Sequence, residues 1–168
     1  NNDFDQIDFL KVPEPLIQKE FSRIMSLKDG IKKMSKSDPS DLSRINLTDN
    51  KDEIFNKIKK AKTDPMPMPN ELKDLKERPE AENLLGIYSS LKDQRIDESI
   101  NEFNGKNFSE FKEKLSDFLI QKIEPISEEI NRLLNDKRYL DEILLEGSRK
   151  ADEIASKKIK KIKEIVGF

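Results

Sequence analysis

The feature that most constrains the fold of this chain is the helical spacing of its apolar residues after Pro79. Apolar side chains recur there at about every third or fourth position, which places them together on one face of an α-helix. The positions concerned are Ala81, Leu84, Leu85, Tyr88, Leu91, Ile96, Ile100, Phe103, Phe108, Phe111, Leu115, Phe118 and Leu119. We interpret these stripes as the faces that form the core of a helix bundle.

The same spacing continues towards the end of the sequence. Pro125 lacks a backbone N–H, so we expect it to kink or interrupt its helix, and Asn135 with Asp136 is predicted to form the turn before a last helix. The apolar positions of this region are Ile126, Ile130, Leu133, Leu134, Leu140, Ile143, Leu144, Ala151, Ile154, Ala155, Ile159, Ile162, Ile165 and Val166. We expect these stripes to be core faces as well.

Two pairs of residues predict where helices begin. Asn50 lies three residues before Glu53, and Asn107 lies three residues before Glu110, so each pair fits a capping box. The helix that follows Asn50 is expected to end near Thr63. Its Lys side chains, which are Lys57, Lys59, Lys60 and Lys62, form either a solvated face or a contact to a phosphate backbone, and the sequence leaves both readings open.

Proline residues divide the rest of the chain. Pro13 and Pro15 predict an irregular segment over residues 1–22. The alternating Pro and Met residues at 65–69 exclude a helix, so we interpret them as an extended linker at a domain boundary. Its mobile residues are expected to continue to Pro79.

Composition excludes several kinds of function. The chain of 168 residues has no Cys and no His, so it lacks a thiol nucleophile, a disulfide framework and the commonest general base and metal ligand. A hydrolase triad and a metal site are therefore not expected. The 32 basic and 34 acidic side chains nearly balance, so any contact with nucleic acid needs a local patch. No apolar run approaches the ~18 residues of a membrane-spanning helix.

The residues that predict ligand binding lie in a short segment before residue 50. The segment 23–27 is short and apolar, which predicts a buried strand. Residues 30–41, shortly after it, are predicted to form a loop. Within this loop, the pentapeptide 33–37 reads Lys-Met-Ser-Lys-Ser. Its two ammonium groups are strong donors to phosphate oxygens, and its hydroxyls add further donors. The segment therefore predicts a polyphosphate-binding loop, and the alternative is a solvated surface loop.

The pentapeptide is identical to the KMSKS signature of class I aminoacyl-tRNA synthetases. The order of motifs along nearly the whole chain resembles the C-terminal half of the bacterial tryptophanyl-tRNA synthetases. The matching segments are 13–15, 23–27, 32–38, 58–64, 83–88, 103–106 and a last stretch that runs from 146–147 through 166–168. This resemblance implies activation of tryptophan with ATP to an adenylate, followed by transfer to tRNA(Trp).

The resemblance also implies roles for individual residues. Lys33 and Lys36 would stabilise charge on the triphosphate as pyrophosphate leaves, Ser35 and Ser37 would donate hydroxyl hydrogen bonds, and Met34 would be an apolar pin for the loop. Ile24 matches the family position that meets the adenosine. The implied nucleotide-binding set is Ile24, Lys33, Met34, Ser35, Lys36 and Ser37, with Lys33 and Lys36 as the catalytic pair.

The implied architecture is mainly α. Residues 1–50 would be the torn C-terminal edge of a Rossmann-like α/β catalytic domain with the KMSKS loop, and residues 51–168 an all-helical domain that binds the tRNA anticodon. ATP would arrive with Mg²⁺, without a dedicated metal site in this chain. The expected partners are tRNA(Trp) and tryptophan, whose pocket lies mostly in the family's other half, and the complete enzyme is expected to be a cytoplasmic homodimer without a membrane contact.

The chain lacks the HIGH signature that the family carries in its N-terminal half. We therefore expect a fragment that is inactive alone. One alternative is a truncated, non-catalytic helical module that binds tRNA, and another is a helical interaction protein with an accidental KMSKS match. The last twenty residues hold seven basic and three acidic side chains, which form either a solvated helix end or a contact to RNA phosphates.

Overall fold

The computed structural model of the protein describes residues 12–17 and 21–167. Part of the predicted irregular segment 1–22 lies outside these residues, and its described part has neither helix nor strand. The strands and α-helices are β1 (Met25–Ser26), β2 (Asp29–Lys33), α1 (Lys51–Lys60), α2 (Pro79–Lys92), α3 (Ile96–Phe103), α4 (Phe108–Asn135) and α5 (Lys137–Val166). Within the described residues, both strands precede residue 50 and all five α-helices follow it, which confirms the mainly helical prediction.

The chain forms two compact units, and each is discontinuous in sequence. The first contains the chain up to Arg44 together with Ala61–Phe111, and the second contains Ile45–Lys60 together with Lys112–Phe168. The predicted division into a catalytic part, 1–50, and a tRNA-binding part, 51–168, concerns function, and it stays a prediction. The two compact units have other boundaries than the predicted domains, because Ala61–Phe111 belongs to the first unit together with the chain up to Arg44.

The first unit has a well-formed aromatic and aliphatic core. Tyr88, Phe103 and Phe111 are buried and meet edge to face, with ring centroids 5.0 Å apart for Tyr88 and Phe103 and 4.8 Å apart for Phe103 and Phe111. Leu84 and Leu85 of the same predicted stripe are also buried. The core prediction is therefore confirmed for this part of the sequence.

The Pro-rich stretch 65–69 is not helical, as predicted, but it is not a linker between units. Met68 is 1 % exposed, and the chain on both sides of the stretch belongs to the first unit. Arg78 donates from Nε and Nη2 to the two carboxylate oxygens of Asp64, at 2.9 and 2.8 Å, and from Nη2 to the Pro67 carbonyl at 2.8 Å. A guanidinium that satisfies both a carboxylate and a backbone carbonyl fixes the path of this segment.

In the second unit, the capping prediction for α1 is confirmed. The Glu53 N–H donates to Asn50 Oδ1 at 3.0 Å, and the Asn50 N–H donates to Glu53 Oε2 at 2.8 Å. The helix ends at Lys60, earlier than predicted. Lys57 was counted among the Lys side chains of an exposed or phosphate-contacting face, and this is wrong, because Lys57 is buried and pairs with the buried carboxylate of Asp49 at 2.6 Å.

Helix α4 continues through Pro125 without interruption. Helix α5 differs from the prediction more strongly, because none of its residues is buried. Within the predicted stripe, Leu144 is 60 % and Ile154 75 % exposed, so the prediction that this stripe is a core face is wrong. Helical spacing decides which residues share a face, whereas burial also needs a neighbouring element.

Among the described residues, the structure contains no helix that could span a membrane.

Candidate functional site

The candidate site is built on a small hairpin. Strands β1 and β2 pair antiparallel, with Met25 opposite Lys33 and Ser26 opposite Asp29. The Met34 N–H donates to the Ile24 carbonyl at 3.0 Å, which extends the pairing by one step. The predicted strand 23–27 is therefore present only in part. The expectation that Gly30 begins a loop is wrong, because residues 29–33 form β2.

Gly30 has a packing role in this strand. A Cβ atom on Gly30 would lie 2.5 Å from the carbonyl carbon of Pro79 and 2.6 Å from the backbone nitrogen of Glu80. Both distances are far below van der Waals contact, and both atoms belong to the backbone. Only glycine therefore permits β2 to approach the first turn of α2 this closely.

After β2, the chain makes a tight turn stabilised by its own hydroxyls. The Asp38 N–H donates to the Ser35 carbonyl at 3.3 Å, and the Ser37 N–H donates to Ser35 Oγ at 3.3 Å. The Oγ atoms of Ser35 and Ser37 lie 2.9 Å apart and share a hydrogen bond. The two predicted hydroxyl donors are thus close together on the same turn.

Asp38 holds the two ends of the turn together. Its Oδ1 accepts the Ser40 N–H at 2.8 Å, and its Oδ2 accepts from Lys32 Nζ at 3.2 Å. The hydrogen bond from the Ser40 N–H and then the one from Lys32 lower the pKa of the Asp38 carboxyl. Arg44 Nη1 donates to the Asp38 carbonyl at 2.9 Å, so the loop is supported from its far side.

The two lysines of the pentapeptide differ from their neighbour Lys32. Lys33 and Lys36 are exposed, and neither ammonium has a hydrogen bond or ion pair with another described residue. The Lys32 ammonium is instead engaged by Asp38. The loop therefore presents two uncompensated cations beside a pair of hydroxyls, which is an arrangement suited to an anionic ligand.

The other two predicted site residues flank this arrangement. Met34 is half-buried, and Ile24, whose carbonyl accepts the Met34 N–H, is 44 % exposed. The roles implied for these two residues stay predictions. Within the described residues, no group of three or more acidic side chains is placed to hold a metal ion. The possible ligand chemistry of the loop is therefore carried by its cations and hydroxyls.

Asn83 was not singled out as a site residue from the sequence. It lies in α2, is 3 % exposed, and bonds to both backbone groups of Met25: its Oδ1 accepts the N–H at 2.8 Å and its Nδ2 donates to the carbonyl at 2.9 Å. No periodic signal indicated it, because at 3.6 residues per turn Asn83 lies on the opposite side of α2 from Ala81, Leu84 and Tyr88. Its partner was not predictable, because Met25 lies 58 positions earlier.

Comparison with known proteins tests the resemblance that the order of motifs indicates. The sequence profile of the family described as tRNA synthetases class I (W and Y) matches residues 1–124. The chain belongs to this family.

Within that family, the chain is similar to bacterial tryptophan–tRNA ligases. It is 52 % identical to the one from Rhizobium meliloti over 155 residues, which are 92 % of this chain and 44 % of the relative. It is 45 % identical to the one from Caulobacter vibrioides over 168 residues, which are 100 % of this chain and 49 % of the relative. The chain thus spans about half the length of the curated relatives it matches.

Solved structures show the same likeness. The tryptophanyl-tRNA synthetase of Mycoplasma pneumoniae superposes with a TM-score of 0.72 at 25 % identity, over 95 % of this chain and 49 % of that one. The Campylobacter jejuni enzyme complexed with ADP and tryptophan has a TM-score of 0.66 at 23 % identity, over 96 % of this chain and 48 % of that one, and so supports the fold alone. The resemblance inferred from the motifs is confirmed.

Proposed function

We propose that this chain is the half of a tryptophan–tRNA ligase that contains the ATP-binding loop and the tRNA-binding helices. The observation that carries the proposal is the loop 33–37, where the ammonium groups of Lys33 and Lys36 are exposed and unpaired among the described residues. Similarity to tryptophan–tRNA ligases over more than nine tenths of the chain supports it. The torn edge of a Rossmann-like domain over 1–50 and a helical domain over 51–168 belong to the same proposal.

In this function, the loop acts by electrostatics. ATP and tryptophan form tryptophanyl-adenylate, and the bond between the α- and β-phosphates breaks as pyrophosphate leaves. Lys33 and Lys36 stabilise the negative charge that accumulates on the leaving phosphates, and Ser35 and Ser37 donate to their oxygens. No proton transfer by these residues is required. Mg²⁺ would accompany ATP as part of the substrate, without a dedicated metal site in this chain.

The acidic residue of the loop, Asp38, does not compete with ATP phosphates for the ammonium groups of Lys33 and Lys36. Asp38 lies close to the two free cations in sequence, but it is engaged by Lys32 and by the Ser40 N–H. Because Lys32 compensates the Asp38 charge, Lys33 and Lys36 remain available to ATP. The exposed Ile24 side chain beside the hairpin supports its assignment to the adenosine contact.

The RNA-binding part of the proposal rests on the helices. Within the cluster of seven cations near the end of the chain, Arg149 pairs with Glu153 at 2.8 Å and Lys150 pairs with Glu146 at 2.7 Å, each within α5. The remaining cations of the cluster are Lys157, Lys158, Lys160, Lys161 and Lys163, all of them exposed. They are suited to phosphates near the anticodon of tRNA(Trp). The tryptophan pocket and the homodimer contact would lie mainly in the half that this chain does not cover.

The experiment uses the complete enzyme, by which we mean this chain joined to the part of its relatives that it does not cover. Replacing Lys36 by Ala should slow tryptophan-dependent ATP–pyrophosphate exchange by roughly 100-fold, because one charged contact to the transition state is worth about 3 kcal/mol. Tryptophan binding should change little. Lys76→Ala, which removes an exposed lysine outside the loop, is the matched control.

The same assay separates the main alternative, an RNA-binding module without chemistry, which the chain's coverage of only half of each relative keeps open. That alternative predicts that Lys36→Ala leaves exchange unchanged while tRNA(Trp) still binds. An unchanged exchange rate would therefore contradict the proposed role of the loop.

A further inference from the structure

The side-chain amide of Asn83 lies against the outer edge of the hairpin. The Ile24 carbonyl accepts the Met34 N–H, so the backbone groups of Ile24 face β2. Because successive residues of a strand direct their backbone groups to opposite edges, the N–H and carbonyl of Met25 face away from β2. Asn83 binds both of these groups, at 2.8 and 2.9 Å, as a neighbouring strand would.

Asn83 is well suited to this contact, because its amide offers one acceptor and a donor in nearly the geometry of a peptide group. It is also 3 % exposed, so water has little access to replace it. Without the amide, two partly buried backbone groups of Met25 would lose their partners. The hairpin edge is therefore fixed by one side chain from α2.

The contact bears on the proposed catalytic pair through the strand register. Met25 lies directly opposite Lys33, which is both the last residue of β2 and the first residue of the loop 33–37. Whatever fixes Met25 therefore fixes the backbone from which the Lys33 side chain extends. Asn83 itself lies too deep in the first unit to be part of the exposed loop surface.

Two further contacts hold the hairpin to the first turn of α2. Gly30 lies against the backbone of Pro79. The Lys62 N–H donates to the Leu27 carbonyl at 2.7 Å, while Lys62 Nζ pairs with Glu80 at 2.7 Å. The hairpin is thus attached to α2 at several points, of which Asn83 is the one nearest to Lys33 in the strand register.

We infer that Asn83 is a positioning residue for adenylate formation: it holds β1 so that Lys33 is placed to meet the triphosphate. This inference rests on the proposed function. Misplacing a reacting group by about 1 Å can cost on the order of 100-fold in rate, so loss of the amide should be visible in turnover. Because Asn83 is buried and its amide is already engaged by the backbone of Met25, the affinity for tryptophan should not change.

The test measures ATP–pyrophosphate exchange and tryptophan binding in the complete enzyme for Asn83→Ala and Asn83→Leu. Leu has nearly the shape of Asn without its polar atoms, so it preserves packing where Ala leaves a cavity, and it serves if the Ala variant does not fold. Both should lower kcat by roughly 10- to 100-fold, with an unchanged Kd for tryptophan. Tyr88→Phe is the matched control, because it removes a buried hydroxyl, which donates to Glu102 at 2.8 Å, from the same helix.

The outcomes are distinct. If Asn83→Leu is as active as the unchanged enzyme, or if Tyr88→Phe is slowed equally, the hydrogen bonds of Asn83 do not position the loop and the inference is overturned. If Lys36→Ala is slow but both Asn83 variants are normal, the inference fails while the proposed function stands. If Lys36→Ala is also normal, the proposed function itself fails.

Discussion

The loop hairpin of the first unit and helix α5 of the second unit show two different ways in which a polar, lysine-rich sequence becomes ordered. Each hairpin strand is only a few residues long, yet Gly30, Leu27 and Met25 are each held by a contact to a residue distant in sequence. Helix α5 is 30 residues long and has no buried residue. Its polar contacts include the pair of Arg138 with Glu142 at 3.1 Å, one turn apart.

This difference indicates which part of the molecule can hold reacting groups at fixed positions. A loop that must meet a triphosphate needs its cations held at fixed positions, and long-range contacts supply that. A helix held by exposed pairs of residues one turn apart, each worth only about 0.3–0.5 kcal/mol, gains little stability from them. Such a helix can still present charge to a long, flexible polyanion. The two regions therefore match the two proposed ligands, ATP and tRNA.

The largest expected effect is a difference in stability between the two regions. Phe103→Ala removes a ring that is 1 % exposed and in contact with two other aromatic rings, so it should lower the free energy of unfolding by about 3–5 kcal/mol. Ile154→Ala, in the exposed face of α5, should change it by less than about 0.5 kcal/mol. Urea unfolding followed by circular dichroism measures both. Equal losses would show that α5 is covered in solution.

A second comparison uses one glycine from each region. Gly30→Ala places a Cβ atom against the backbone of Pro79 and should destabilise the first unit by about 1–3 kcal/mol. Gly147→Ala meets no atom within 4 Å and lies inside α5, so it should stabilise that helix by about 0.5–1 kcal/mol. Thermal unfolding of the two variants should therefore shift in opposite directions. A shift in the same direction would contradict this account of the close approach at Gly30.

The sequence predicted the helices and the loop better than it predicted their surroundings. The capping pair Asn50 and Glu53 and the core position Phe103 could be recognised because their signals are local or periodic. Strand β2 was missed because Gly30, Lys32 and Lys33 have little strand propensity and pair only through the hairpin.

The missed parts of the site share another cause. Asn83 and Met25 are 58 positions apart, and the type of neither residue predicts its hydrogen-bond partner. The exposure of α5 was missed because spacing cannot show whether a second surface covers an apolar face. The proposed phosphate-binding residues 33–37 were singled out only because their order is a known signature, since composition and periodicity alone leave a solvated loop as an alternative.

The RNA proposal can be sharpened by comparing exposed lysines in the two units. Lys160→Glu with Lys161→Glu should weaken binding of tRNA(Trp) to the complete enzyme and make its salt dependence shallower, by roughly one unit of slope per lost phosphate contact. Lys73→Glu with Lys76→Glu, in the first unit, should have a smaller effect. Filter binding at several salt concentrations gives both slopes. Equal slopes for the two variants would leave the α5 cluster without a role in RNA binding.

The smallest effect concerns the support of the loop by Asp38. The Ser40 N–H and Lys32 lower the pKa of this carboxyl in the folded state, so its contribution to stability is present above the unfolded-state value of about 3.9 and is lost as pH falls through the lower folded-state value. Carboxyl NMR titration of this chain should show Asp38 titrating below pH ~4. Lys32→Ala should raise that pKa part of the way, because the Ser40 contact remains. No change would mean that the Lys32 contact is not formed in solution.

The central claim is that the cations of Lys33 and Lys36 act together on the phosphates of ATP. The most direct measurement is ATP–pyrophosphate exchange by the complete enzyme carrying Lys33→Ala, Lys36→Ala and both changes, with tryptophan affinity measured in parallel. The account predicts that each single change slows exchange by roughly 100-fold, that the double change slows it further, and that the Kd for tryptophan stays the same. A double variant that exchanges pyrophosphate at the unchanged rate would contradict the account.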